Sequence, residues 1–98
     1  MEATLITTDN KKRKIKIKTF DEARQLVCDF NYNSSIEISI LNDGTAILLD
    51  EEGKLKNLPF NEIATQIAHA GGGIYPSDFI VGDVLLVDLD EFDGLPYE

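Results

Sequence analysis

The stretch 35–50, SIEISILNDGTAILLD, limits the possible folds of this chain more than any other part of it. Two apolar, β-branched runs, 35–41 and 45–50, flank Asn42-Asp43-Gly44. Asp-Gly between such runs predicts a hairpin, because the turn needs backbone conformations that these residues accept. Ile36, Ile38 and Ile40 alternate with Glu37 and Ser39. That period of two predicts that one face of the hairpin is core.

A second hairpin is predicted at the start. Residues 3–8, ATLITT, are β-branched and end at Asp9-Asn10, a turn pair. Residues 13–20, RKIKIKTF, alternate strictly, with Ile15 and Ile17 on one side and Lys14, Lys16 and Lys18 on the other. The lysines are expected on the solvent face. Thr19 and Glu22 then form a capping-box pattern. It opens a helix whose buried stripe is expected to hold Phe20, Ala23, Leu26, Val27 and Phe30, with Cys28 on the opposite side. Asn31 to Ser34 are turn residues that close it.

After the central hairpin, Glu51-Glu52-Gly53 predicts a turn into an extended segment, 54–58. Pro59 is expected in the first turn of a second helix, where its missing N–H does no harm. Phe60, Ile63, Ala64 and Ile67 would form its buried stripe, and Asn57 or Asn61 its N-cap. The helix stops at Gly71-Gly72-Gly73, read as a flexible connector. An apolar strand, 79–89, bends at Gly82. The expectation is one α+β domain over residues 1–90, a small, mostly antiparallel sheet or partly open barrel of about five to six strands with two helices. Residues 91–98 are expected as a loose acidic tail.

Charge is placed unevenly along the 98 residues, whose net is −9. Residues 1–30 carry seven lysines and arginines against five acids, whereas 31–98 carry two against thirteen. So negative a field repels nucleic-acid phosphate at long range and favours a basic partner. Cys28 is the one cysteine, so no disulfide closes within the chain, and small secreted domains usually hold several. The first residues lack the apolar run of a signal peptide. No apolar run exceeds four residues, far short of the roughly 20 that span a bilayer. A cytoplasmic protein away from membranes is expected.

Candidate chemistry is sparse. His69, the single histidine, is placed on the solvent side of the second helix with no acid or nucleophile specified beside it. Cys28 adjoins Asp29, whose charge disfavours a thiolate. Lys11, Lys12, Arg13, Lys14, Lys16 and Lys18 could track phosphates or an acidic surface, but lysine on an exposed strand also prevents edge-to-edge aggregation. Gly71, Gly72 and Gly73 follow a helix instead of preceding one, unlike a phosphate loop. Asp83, Asp88, Asp90, Glu91 and Asp93 match no calcium loop. As a run they either solvate the chain or imitate the charge of a nucleic-acid backbone. Neither a cofactor nor a metal is called for.

Three segments carry a resemblance. They are Ile36-Glu37-Ile38 leading to Leu41-Asn42-Asp43-Gly44; residues 50–61, DEEGKLKNLPFN, continued by Ala64-Thr65; and residues 79–87, FIVGDVLLV. Together they resemble a family of small domains of unknown function, number 3846, commonly encoded by phages, plasmids and related mobile elements. Where that family carries a glycine pair and an aromatic residue, this chain has Cys28-Asp29-Phe30-Asn31-Tyr32-Asn33. The resemblance implies fold and genetic context but no activity.

The sequence therefore leads to a non-catalytic binding module, a mobile-element accessory protein acting on a host macromolecule. Its surface would comprise Glu51, Glu52, Asp83, Asp88, Asp90, Glu91 and Asp93, and its partner would be a protein with a basic surface. The alternative is a small-ligand or nucleotide binder, in some oligomeric form, with a site at Lys54, Asn61 and Gly71 to Gly73. A third reading is nucleic-acid contact through Lys12, Arg13, Lys14, Lys16 and Lys18.

Overall fold

The structure is a computed structural model that describes residues 1–28 and 34–98. Five strands form one open sheet: β1 (Glu2–Thr7), β2 (Lys11–Lys16), β3 (Ile36–Ile40), β4 (Thr45–Asp50) and β5 (Val84–Asp88). Their order across the sheet is β2-β1-β5-β4-β3, and every neighbouring pair is antiparallel. Helices α1 (Phe20–Val27), α2 (Glu62–Ala70) and the short α3 (Leu89–Asp93) complete an α+β fold. Both predicted hairpins form. Asn10 and Gly44 take the left-handed backbone that the two turns demand, with φ of 66° and 87°.

The period of two sorts the side chains onto two faces, and both are covered. On one, Ala3, Leu5, Ala46, Leu48, Leu85 and Val87 are buried with Ala23 and Val27 of α1 and Phe92 of α3. On the other, Ile6, Ile47, Leu49 and Val84 are buried with Ala64 and Ala68 of α2. Central strand β5 lies between both layers, which is why it reads VLLV without polar alternation. Each fully buried aliphatic side chain contributes about 1.5–3 kcal/mol by leaving water.

The capping box forms at α1. The Thr19 hydroxyl accepts the Glu22 N–H at 3.1 Å, while the Glu22 carboxylate reaches back to the Lys18 N–H at 3.0 Å. Beyond that, several expectations are corrected. Leu26 is exposed and Cys28 buried. The helix ends at Val27, and Cys28 is an extended cap residue, so helical spacing no longer governs where it points. The predicted roles of Phe30 and of residues 31–33 lie outside the described residues. β3 does not bury the isoleucine face: Ser39 is buried, while Ile38 and Ile40 are exposed. β3 is an edge strand, and α1 packs mainly on β5 and β4.

Residues 54–57 form turns, not a strand. Helix α2 starts later than Pro59 predicts. Asn61 is its N-cap, accepting the Ala64 N–H at 3.0 Å. Phe60 is consequently exposed and forms an isolated bridge with Val81. Within 91–98 the chain makes contacts with the body of the fold. Phe92 is buried, and the Phe20 and Asp21 N–H groups donate to the Pro96 and Tyr97 carbonyls at 2.8 and 3.1 Å.

Candidate functional site

Sheet register decides where the acids lie. Thr45 pairs with Asp88, and Leu48 with Leu85, so β4 and β5 run in opposite directions. Glu51 and Glu52, just past β4, therefore fall at the same end as Asp83. Asp88, Asp90, Glu91 and Asp93 fall at the other end. From Asp83 to Asp88 is five strand steps, about 16 Å. The seven acids predicted as one surface are thus two groups at opposite ends of the sheet.

At the α3 end the acids differ in what occupies them. Asp88 caps α3 by accepting the Glu91 N–H at 3.0 Å. Asp43, in the β3–β4 turn, accepts the Thr45 hydroxyl at 2.6 Å and its N–H at 3.0 Å. Those bonds hold its carboxyl below the ordinary range, the hydroxyl contributing most. The turn and helix are joined by the Leu89 N–H donating to the Gly44 carbonyl at 3.1 Å. Asp90, Glu91 and Asp93 are exposed around the buried Phe92. No hydrogen bond or ion pair among the described residues engages their carboxylates.

At the opposite end Asp50 and Asp83 are built in, while Glu51 and Glu52 are exposed and no hydrogen bond or ion pair among the described residues engages their carboxylates. Asp50 is buried and paired with Lys56 at 2.7 Å, their side chains 1% and 10% exposed. Asp50 also accepts the Glu52 N–H at 2.9 Å, and Lys56 donates to the Ser34 hydroxyl at 2.7 Å. Arg24 donates to the Ser34 carbonyl at 3.1 Å. Cys28 adjoins this cluster. Burial, followed by the Asp50 charge, pushes its thiol up, and a hydrogen bond with Ser34 works the other way. Asp83 accepts the Thr8 N–H at 3.1 Å. An open groove of about 280 Å³ runs past Leu26, Cys28, Leu58 and Asp83. Sequence reasoning missed the Asp50–Lys56 pair. Their spacing across Gly53 is a signal, but nothing in a sequence says that a turn folds its lysine inward.

The residues predicted as a ligand site are brought together only in part. Asn61 is fully buried, and its amide donates to the Ile6 and Gly82 carbonyls at 3.0 and 2.8 Å. Every polar atom of that side chain is occupied by the fold. Lys54 is ion-paired with Asp78, whose carboxyl is lowered chiefly by this bond and next by the Phe79 N–H. The Lys54 ammonium also sits 4.5 Å from the centre of the Phe79 ring. Gly71 to Gly73 are not a free connector. The Gly73 carbonyl accepts the Ser39 hydroxyl at 2.8 Å, and a Cβ at Gly73 would lie 2.5 Å from that hydroxyl. Shallow grooves beside Glu37, Ile74 and Asp78 do bring Lys54 and Gly73 to one side of β3. His69 holds the Asp78 carbonyl through Nε2 at 2.8 Å and shares no site with Cys28.

Lys11, Lys12, Arg13, Lys14 and Lys16 are exposed along edge strand β2, followed by Lys18. Lys11 lies 3.7 Å from Asp9, and an open groove of about 460 Å³ lies beside Leu5, Lys11 and Arg13. Exposed Phe60 and Phe79, ring centres 6.2 Å apart, add an aromatic pair that sequence reasoning placed in the core or a strand. Among the described residues no group of three histidine, cysteine or acidic side chains could hold a metal ion, and no helix is long and apolar enough to cross a membrane. The family described as a domain of unknown function, DUF3846, matches residues 1–98. Neither a curated protein nor a solved structure matches the chain.

Proposed function

The chain belongs to the DUF3846 family, and from that premise we propose that it is a non-catalytic binding module, a mobile-element accessory protein that occupies a basic surface on a host protein. The contact surface is the α3 end, with Asp90, Glu91 and Asp93 at its centre. What supports this reading is the clustering: these three carboxylates project from one helical turn anchored by Phe92 and have no partner within the described residues. Three like charges on one rigid turn attract a complementary basic patch and speed its encounter. Glu51, Glu52 and Asp83 belong to a different end and drop out of the surface.

Capture from host lysate at low and high salt tests this. The parent chain is compared with an Asp90→Asn, Glu91→Gln, Asp93→Asn variant and with a Glu51→Gln, Glu52→Gln variant. The expected result is one salt-released protein retained by the parent and the second variant and lost by the first. Equal retention by all three chains, or by none, rejects the α3 surface.

A further inference from the structure

The two edges of the sheet are built differently. Along β2 every residue but Ile15 is lysine or arginine, so two such edges repel each other. β3 carries Glu37 alone among charged residues, no proline, and two exposed isoleucines, Ile38 at 42% and Ile40 at 59%. No described strand pairs with its outer side.

The direction of its backbone groups follows from the hairpin. The Leu41 N–H donates to Thr45 at 2.9 Å, and the Glu51 N–H donates to Ser35 at 3.0 Å. Pairing between these two bonds keeps Ser39 opposite Ile47 and Glu37 opposite Leu49. Antiparallel strands bond at alternate residues. Hence Glu37 and Ser39 bond toward β4, while Ile36, Ile38 and Ile40 direct both N–H and C=O outward. The next outward group, the Asn42 N–H, donates to the Gly71 carbonyl at 2.9 Å. The open ladder is therefore bounded to 36–40.

We propose that β3 joins two copies of this chain, antiparallel, about a two-fold axis through Ile38, so that two five-stranded sheets become one continuous sheet. In this register Ile38 faces its own counterpart and Ile36 faces Ile40 of the second copy. All three outward residues of each copy then bond, giving about six backbone hydrogen bonds. The three isoleucines of each copy lie on one face as cross-strand neighbours. Glu37 stands opposite Ser39. Centring on Glu37 would oppose two carboxylates at the closest spacing, and centring on Ser39 would place Ile36 against Asn42, whose N–H is already taken. The strand's own charge pattern thus selects one register and one kind of partner, itself. A closed two-fold contact uses up both β3 edges and leaves only the lysine edges outside.

Each copy carries −9, so added salt strengthens this association, whereas it weakens capture through the α3 acids. The two readings fail separately. Sedimentation velocity of the full chain over a concentration series, at low and high salt, provides the test. A monomer–dimer equilibrium is expected, tighter at high salt, unchanged or tightened by Asp90→Asn. Ile38→Pro removes an outward N–H while sparing every bond to β4. Ile40→Lys adds a charge at an exposed position. Each should raise the dissociation constant at least about tenfold, with the far-ultraviolet dichroism of the parent. Should Ile38→Pro unfold the chain, Ile40→Lys alone carries the comparison. A monomer at the highest soluble concentration at both salts, an open-ended series of larger species, or variants that associate like the parent overturns the proposal.

Discussion

The two ends of the β4–β5 pair carry similar numbers of acids and differ in what their engaged carboxylates hold. At the Asp50 end a carboxylate is buried against Lys56, another accepts a main-chain N–H, and a third, Asp78, holds Lys54. At the α3 end, Asp43 and Asp88 serve the backbone, and three neighbours serve nothing inside the described fold. Charge counted along a sequence does not separate these cases. Burial does, since a carboxylate removed from water must find a cation or donors, whereas an exposed one needs neither.

Breaking the comparison at its strongest point means removing the buried cation. Lys56→Met leaves the Asp50 carboxylate buried and unpaired and should cost about 3–5 kcal/mol in denaturant unfolding. The double variant Asp50→Asn with Lys56→Met should recover part of that loss. If Lys56→Met unfolds like the parent, the pair is not the fastening it looks like. Next in size is the thiol beside it. Alkylation of Cys28 at neutral pH should be at least about tenfold slower in the native chain than in the denatured one, because burial and Asp50 both disfavour the thiolate. Raised in the folded state, this thiol contributes stability present below its unfolded pKa and lost as pH climbs through the folded value.

Smaller effects sharpen the contrast. Asp83→Ala deletes one exposed acceptor and should cost about 0.5–1 kcal/mol. Lys54→Met breaks an ion pair whose side chains are 51% and 36% exposed, and should cost under about 1 kcal/mol. Asp78 has its folded pKa depressed, so its contribution is present above the unfolded carboxylate pKa and lost as pH falls through the folded one. The difference between Lys54→Met and the parent should accordingly shrink toward acid pH. Neutralising Asp90, Glu91 and Asp93 together should alter stability least, within about 0.5 kcal/mol.

Local rules carried the sequence reading where structure is local. The Asp43-Gly44 turn, the β2 alternation and the Thr19–Glu22 box each depend on residues within a few positions, and all three form. Where chain segments meet at a distance, the reading failed. Ile38 and Ile40 look like core because alternation reports a face but not whether a helix covers it. Phe60 has helical spacing to Ile63 and Ala64, yet Asn61 breaks the spacing by using its side chain as the cap. The acids 83–93 look contiguous until β5 pulls them apart. Asn61 reads as a polar contact available to a ligand, and only the Ile6 and Gly82 carbonyls, far off in sequence, show it to be spoken for.

Strand order has a consequence for how the chain reaches this state. β1–β2 and β3–β4 are hairpins of near neighbours, able to form early, but among the described strands they are hydrogen-bonded into one sheet only through β5, the fifth along the chain. During synthesis the two half-sheets therefore have no strand to join them until residue 88 has been made, which leaves their inner edges open for that time. A chain halted before Val84 should persist as a chaperone client, not as a smaller stable domain.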